Sequence, residues 1–84
     1  MIHELKCWAV QYDATVAGKK LFEIRNNDRG FHRGDTLLLK RYYPDAEEYS
    51  GEISFYEITW IERGPSWGLP KDMVVMGIKQ IEGR

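Results

Sequence analysis

Residues 18–25, Gly18-Lys19-Lys20-Leu21-Phe22-Glu23-Ile24-Arg25, place four charged side chains in a segment that otherwise has the composition of a core strand. In an extended chain side chains alternate between faces, so Phe22 and Ile24 share one side while Leu21, Glu23 and Arg25 share the other. At the rise of a strand, Glu23 and Arg25 are about 7 Å apart along one face. A carboxylate and a guanidinium side by side form an ion pair, a polar recognition face, or both at once.

Working outward, the chain alternates short extended segments with turn formers. His3 to Trp8 has Leu5 and Cys7 in one phase and Lys6 and Trp8 in the other, which predicts a first strand. Val10 to Ala17 carries apolar residues at Val10, Ala14 and Ala17, with Tyr12 and Val16, and predicts one or two helical turns closed by Gly18. Asn26 to Gly30 is a turn cluster, followed by a short segment, Phe31 to Arg33, and a second turn at Gly34 and Asp35. Thr36 to Tyr43 predicts a strand buried on both faces at its leucine run, and Pro44 to Gly51 a polar hairpin loop.

Glu52 to Ile61 changes apolar phase, from Ile53 and Phe55 to Ile58 and Trp60, which places a bulge near Tyr56 and Glu57 and Trp60 in the core. Trp67 lies in a loop with two prolines, covering a cleft mouth or plugging a barrel end. Met73 to Ile81 is the last strand. Strand, helix and four more strands make a mainly β chain (α+β) with one or two short helices, arranged as a strongly bent sheet or a partly closed barrel that hides its edges. The final Ile81-Glu82-Gly83-Arg84 matches a protease recognition sequence and is given no functional weight.

The 84 residues fit one domain, residues 1–84, with little core to spare: such a chain buries only somewhat more than ~60% of its unfolded surface. Apolar content of 43% and charged content of 30% are those of a globular chain. One cysteine, Cys7, excludes an intrachain disulfide and fits a reducing cytoplasm. Neither an export signal nor a membrane-spanning run is present. A net charge of −1 argues against gripping nucleic acid by bulk charge, although residues 1–41 carry +3 and the remainder −4. His3 and His32 lack metal-ligand spacing, so no metal is expected, nor any cofactor.

Several side chains are candidates for recognition. Lys20, just past the helix cap, contacts a phosphate, polarises a carbonyl, or is simply solvated. Glu23 can accept from a base amino group while Arg25 reads a phosphate or an acceptor edge. Trp8 beside Lys6 is either a stacking platform for an unpaired base or part of the core. Arg29 and Arg33 extend a phosphate-contacting rim or only decorate their turns.

The segments HELKCW, GKKLFEIRNNDRGF, HRGD, LLLKRYYPDAEEYSG and DMVVMGIK resemble small prokaryotic and phage members of the ASCH superfamily, close to the group called domain of unknown function 3850. The resemblance covers nearly the whole chain and rests on G-x-K-x-x-E-x-R, matched by Gly18, Lys20, Glu23 and Arg25. It implies a small PUA-like β-barrel with a cleft beside the short helix. It also implies binding of RNA or a modified nucleotide; the resulting reading lines the cleft with Lys6, Trp8, Lys20, Glu23 and Arg25 and adds Arg29 as a binding candidate on its rim. Some members of the wider superfamily resemble amidohydrolases that deacylate N4-acetylcytidine with a threonine, a lysine and a glutamate. Lys20 matches that lysine, but Glu23 stands where the threonine belongs. Lys20 and Glu23 are therefore the catalytic candidates of a second reading, in which a carboxylate activates water.

Overall fold

The computed structural model describes residues 1–81; the Glu82 to Arg84 part of the protease-recognition match lies outside them. Five strands form one sheet: β1 (Ile2–Trp8), β2 (Phe22–Asn26), β3 (Thr36–Tyr43), β4 (Glu48–Arg63) and β5 (Met73–Gln80), with helix α1 (Ala9–Val16) between the first two. The spatial order is β1-β3-β4-β5-β2. β1 runs parallel to β3 and every other pairing is antiparallel. The first two strands in sequence are thus the two edges of the sheet, which curls into a half-barrel. The mainly β composition with one short helix agrees with the expectation from the sequence.

Alternation sorts the chain into an inner and an outer face. Leu5 and Cys7 from β1, Leu37 and Leu39 from β3, Tyr56 and Ile58 from β4, and Val74, Met76 and Ile78 from β5 are buried and pack with Phe31 and Tyr12 into one core. Each fully buried aliphatic side chain contributes about 1.5–3 kcal/mol, which is how a chain this short holds a curled sheet. Leu38 is half-buried on the outer face, so the leucine run is covered on both sides as its composition predicts.

The helix begins one residue earlier than expected and buries Tyr12 and Thr15, whereas Val10, Val16 and Ala17 face outward. Its polar clamp replaces the expected apolar stripe: Arg41 of β3 donates from Nε and Nη2 to the two carboxylate oxygens of Asp13, at 2.9 and 3.0 Å. The exit follows from Gly18. Its φ of +77° lets the Gly18 amide bond to the Thr15 carbonyl and the Lys19 amide to the Ala14 carbonyl, a Schellman closure. That turn delivers Lys20 to the start of β2.

Three expectations are corrected. The bulge in β4 lies at Thr59, between the Ile58–Ile78 and Trp60–Gly77 pairs, not at Tyr56 and Glu57. Ser54, Tyr56 and Ile58 therefore keep one inward phase, and the apolar Ile53 lies outside. Trp60 is 53% exposed on the outer face rather than in the core, its indole N–H donating to Glu62 at 2.6 Å. Trp67, 80% exposed, neither plugs a barrel end nor covers the cleft: it donates to the other Glu62 oxygen at 2.9 Å. Both indoles gain a charge-assisted partner outside that the apolar interior does not offer.

Candidate functional site

The sheet does not close between β1 and β2, and the slot between these two edges is a cleft of about 330 Å³. Its lining includes Lys6, Trp8, Lys20, Glu23 and Arg25, five residues that the sequence marks for recognition, and adds Gln11 from α1 and Cys7. The volume is at the small end for ligand pockets and suits one heteroaromatic ring system.

Glu23 is the centre of the slot. It points inward from β2 and is 3% exposed, while Phe22 and Ile24 on either side face outward and are about half-exposed. The charged face of GKKLFEIR is therefore its inner one, the reverse of an ordinary core strand. A carboxylate in that position must be paired. Lys20 Nζ donates to Glu23 Oε2 at 2.6 Å and also to the Phe22 carbonyl at 2.7 Å. Arg25 Nε donates to Glu23 Oε1 at 3.0 Å, and Arg25 Nη2 lies 2.9 Å from the same oxygen. Two cations flank one anion, leaving the triad with an excess positive charge.

Arg25 also reaches across the opening, donating from Nη2 to the backbone carbonyl of Lys6 at 3.0 Å. This bond ties the two sheet edges together at one point and fixes the width of the slot. Lys6 contributes that carbonyl and its stem, but its ammonium lies on the outer face, 4.2 Å from the centre of the Tyr42 ring. Trp8 ends β1 in an extended conformation and begins the turn into α1. It is 59% exposed at the lip of the slot, so it is not a core residue.

Arg29 is not part of this cleft. It lies on the rim of a neighbouring depression of about 210 Å³ that also includes Lys6 and Arg25. Arg33 stacks on Trp60, its guanidinium carbon 4.9 Å from the ring centre, away from both.

Cys7 sits behind Glu23. Burial pushes its thiol up to about 11, the Glu23 carboxylate adding to the effect while Arg25 and Lys20 oppose it. A thiol so placed is a weak nucleophile at neutral pH. His3, which the sequence leaves as structural or surface, is structural: buried, 2.9 Å from an Asp35 oxygen, and edge-on to Phe31. Among the described residues no group of three His, Cys, Asp or Glu side chains is placed to hold a metal ion.

Gln11 carries no sequence signal by itself. It stands in the first turn of the helix that follows Trp8, and its place at the slot is set by how α1 leaves β1.

The architecture defines a small half-barrel protein with a charged slot at its seam. The chain belongs to the family described as Domain of unknown function (DUF3850), which it matches over residues 2–78. It is also similar to an uncharacterized 12.9 kDa protein in the GpA 3′ region of Escherichia phage P2, 46% identical over 41 residues, 49% of this chain. The matched stretch spans 38% of that phage protein's length.

Proposed function

We propose that the slot binds an unpaired base of RNA or a modified nucleotide, and that the chain is a PUA-like module of the ASCH superfamily. One observation carries the reading: a buried carboxylate, Glu23, held between Lys20 and Arg25 in a slot with an exposed indole at its lip. Each Glu23 oxygen has lone pairs beyond those used by Lys20 and Arg25, and can accept from an exocyclic amino group as carboxylates do from cytosine. Lys20 and Arg25 keep the carboxylate fixed and present cations to a base carbonyl or a phosphate. Trp8 offers a ring face on which a base stacks, a contact worth roughly 1–3 kcal/mol. Gln11 adds an amide that can both donate and accept.

A module of this kind works in a reducing cytoplasm, where a buried Cys7 remains a thiol. The amidohydrolase reading lacks its threonine nucleophile, Glu23 standing in that place. Recognition is therefore preferred.

The test is titration of short unpaired RNAs and modified nucleosides at low salt, followed by isothermal calorimetry. Binding tighter than millimolar, weakened about tenfold or more by Trp8→Ala and by Glu23→Gln, is the expected result. No binding tighter than millimolar sinks the reading. Incubation with acylated cytidines checks the alternative: turnover lost in Lys20→Ala establishes a hydrolase.

A further inference from the structure

A second depression lies beside the slot. Its rim is formed by Arg25, Asn26, Asp28 and Arg29 over the buried Leu5 and Phe31. Asn27 shapes it from behind: its side-chain oxygen accepts from the Phe31 amide at 3.0 Å, and its own amide donates to the Asp72 carbonyl at 2.8 Å. The turn carrying Asp28 and Arg29 is thereby anchored at both ends. Among the described residues neither Asp28 nor Arg29 takes part in an ion pair.

Arg25 is the wall between the two depressions and lines both. Its Nε and Nη2 are turned to Glu23 and the Lys6 carbonyl, and among the described residues Nη1 makes no hydrogen bond. A guanidinium presents its donors in a planar fork that matches phosphate oxygens, and Arg25 has one arm of that fork left over. Arg29 supplies a second guanidinium to the same depression. The Lys6 ammonium, stacked on Tyr42, is not available to the depression.

Charge narrows the ligand further. Lys20, Arg25 and Arg29 are balanced by Glu23 and Asp28, so the joined depressions carry a single net positive charge. That complements one negative charge, which is the charge of a phosphodiester. A terminal phosphate monoester carries nearly two at neutral pH, and Asp28 on the same rim disfavours the second.

We propose that the depression between Arg25 and Arg29 is a phosphodiester subsite, so that the ligand is a nucleotide within a strand, its base in the slot and its adjoining phosphate over the turn. This rests on the nucleotide reading of the slot. Arg29 is then a positioning contact for the backbone of the strand, and the slot selects the base.

The experiment compares three probes at low salt: nucleosides, the corresponding dinucleoside monophosphates, and the same dinucleosides with a neutral methylphosphonate linkage. Wild type, Arg29→Gln and Arg33→Gln are titrated with each, and binding is read by isothermal calorimetry. The dinucleoside monophosphate is expected to bind about tenfold tighter than the better of its two nucleosides, the gain of one charge-assisted contact. That gain should vanish with the methylphosphonate and in Arg29→Gln, and persist in Arg33→Gln, while nucleoside affinity stays unchanged in both variants. Nucleosides that bind as tightly as dinucleotides, or a gain that survives Arg29→Gln, overturn the subsite and leave the slot reading standing. Dimethyl phosphate, compared with inorganic phosphate, is the complementary probe. If dimethyl phosphate, a monoanionic diester, perturbs the Arg29 side-chain nitrogen resonance more than inorganic phosphate does in a protein that takes no nucleoside, the anion site stands and the slot reading alone falls.

Discussion

Arg25 donates from Nη2 to the backbone carbonyl of Lys6, 19 residues earlier, at 3.0 Å, so a side chain forms the direct link across the one seam that the sheet leaves open. Replacing it removes this tie and one of the two cations that hold the buried Glu23. Arg25→Met is expected to cost about 2–3 kcal/mol in a urea unfolding experiment, with faster amide exchange along β1. Arg25→Lys restores a charge near Glu23 but not the forked reach, and should fall between the two. Equal stability of Arg25→Met and wild type would show that the tie contributes nothing to closing the seam.

Asp35 couples the start of β1 to the turn before β3. Burial pushes its carboxyl up, but the His3 ring, the His32 amide and the Met1 ammonium together outweigh this and hold it below the ordinary carboxylate range. A carboxyl with a depressed folded pKa contributes stability that is fully present above its unfolded pKa and is lost as pH falls through the folded one. The urea midpoint should therefore decline below about pH 4, and Asp35→Asn should lower it at neutral pH while flattening the decline. A variant with the same acid slope as wild type would assign the loss to other carboxylates.

Cys7, with its thiol pushed up to about 11, should react slowly with a disulfide reagent at pH 8. The thiolate fraction alone lowers the rate roughly 100-fold relative to an ordinary thiol, and burial lowers it further. Adding denaturant should restore the ordinary rate. Fast labelling of the native protein would mean that the slot opens well beyond its described width.

Gly64, where β4 leaves the sheet, has no room for a side chain. A Cβ there would lie 1.7 Å from the Pro70 carbonyl oxygen and 2.6 Å from its carbon, both backbone atoms. The Gly64 amide also bonds to the Met73 carbonyl at 2.9 Å, so the turn cannot simply move aside. Gly64→Ala should destabilise by about 2–4 kcal/mol by equilibrium unfolding, whereas Gly51→Ala, strained only by its φ of +95°, should cost about 1–2. A loss for Gly64→Ala no greater than for Gly51→Ala would refute the clash.

The outline of this fold is legible in the sequence because most strands keep a period of two. That period alone puts Glu23 and Arg25 on one face, and Leu5 with Cys7 on the other side from Lys6 and Trp8. It does not say which face is inside. At Phe22 and Ile24 the usual rule, apolar inward, gives the wrong answer, because the strand is an edge and its inner face borders the slot. Trp60 misleads for a related reason. Its phase depends on a bulge whose place is fixed by pairing with β5, which no local pattern in β4 records. The convergence of Lys20, Glu23 and Arg25 is local and so can be read from spacing, while Trp8 and Gln11 reach them only because the five-stranded sheet curls and brings the β1 edge beside β2. The Asp13–Arg41 clamp, spanning 28 residues, leaves no trace in the sequence.

The opening between β1 and β2 has a cost of its own. Two strand edges border it, and unpaired edges invite pairing with other chains. Recognition and colloidal behaviour are thus joined in one structural feature: a substitution that widens the slot to admit a larger guest also bares a template for self-association. A guest seated in the slot would act, in addition to its own role, as a guard against clumping.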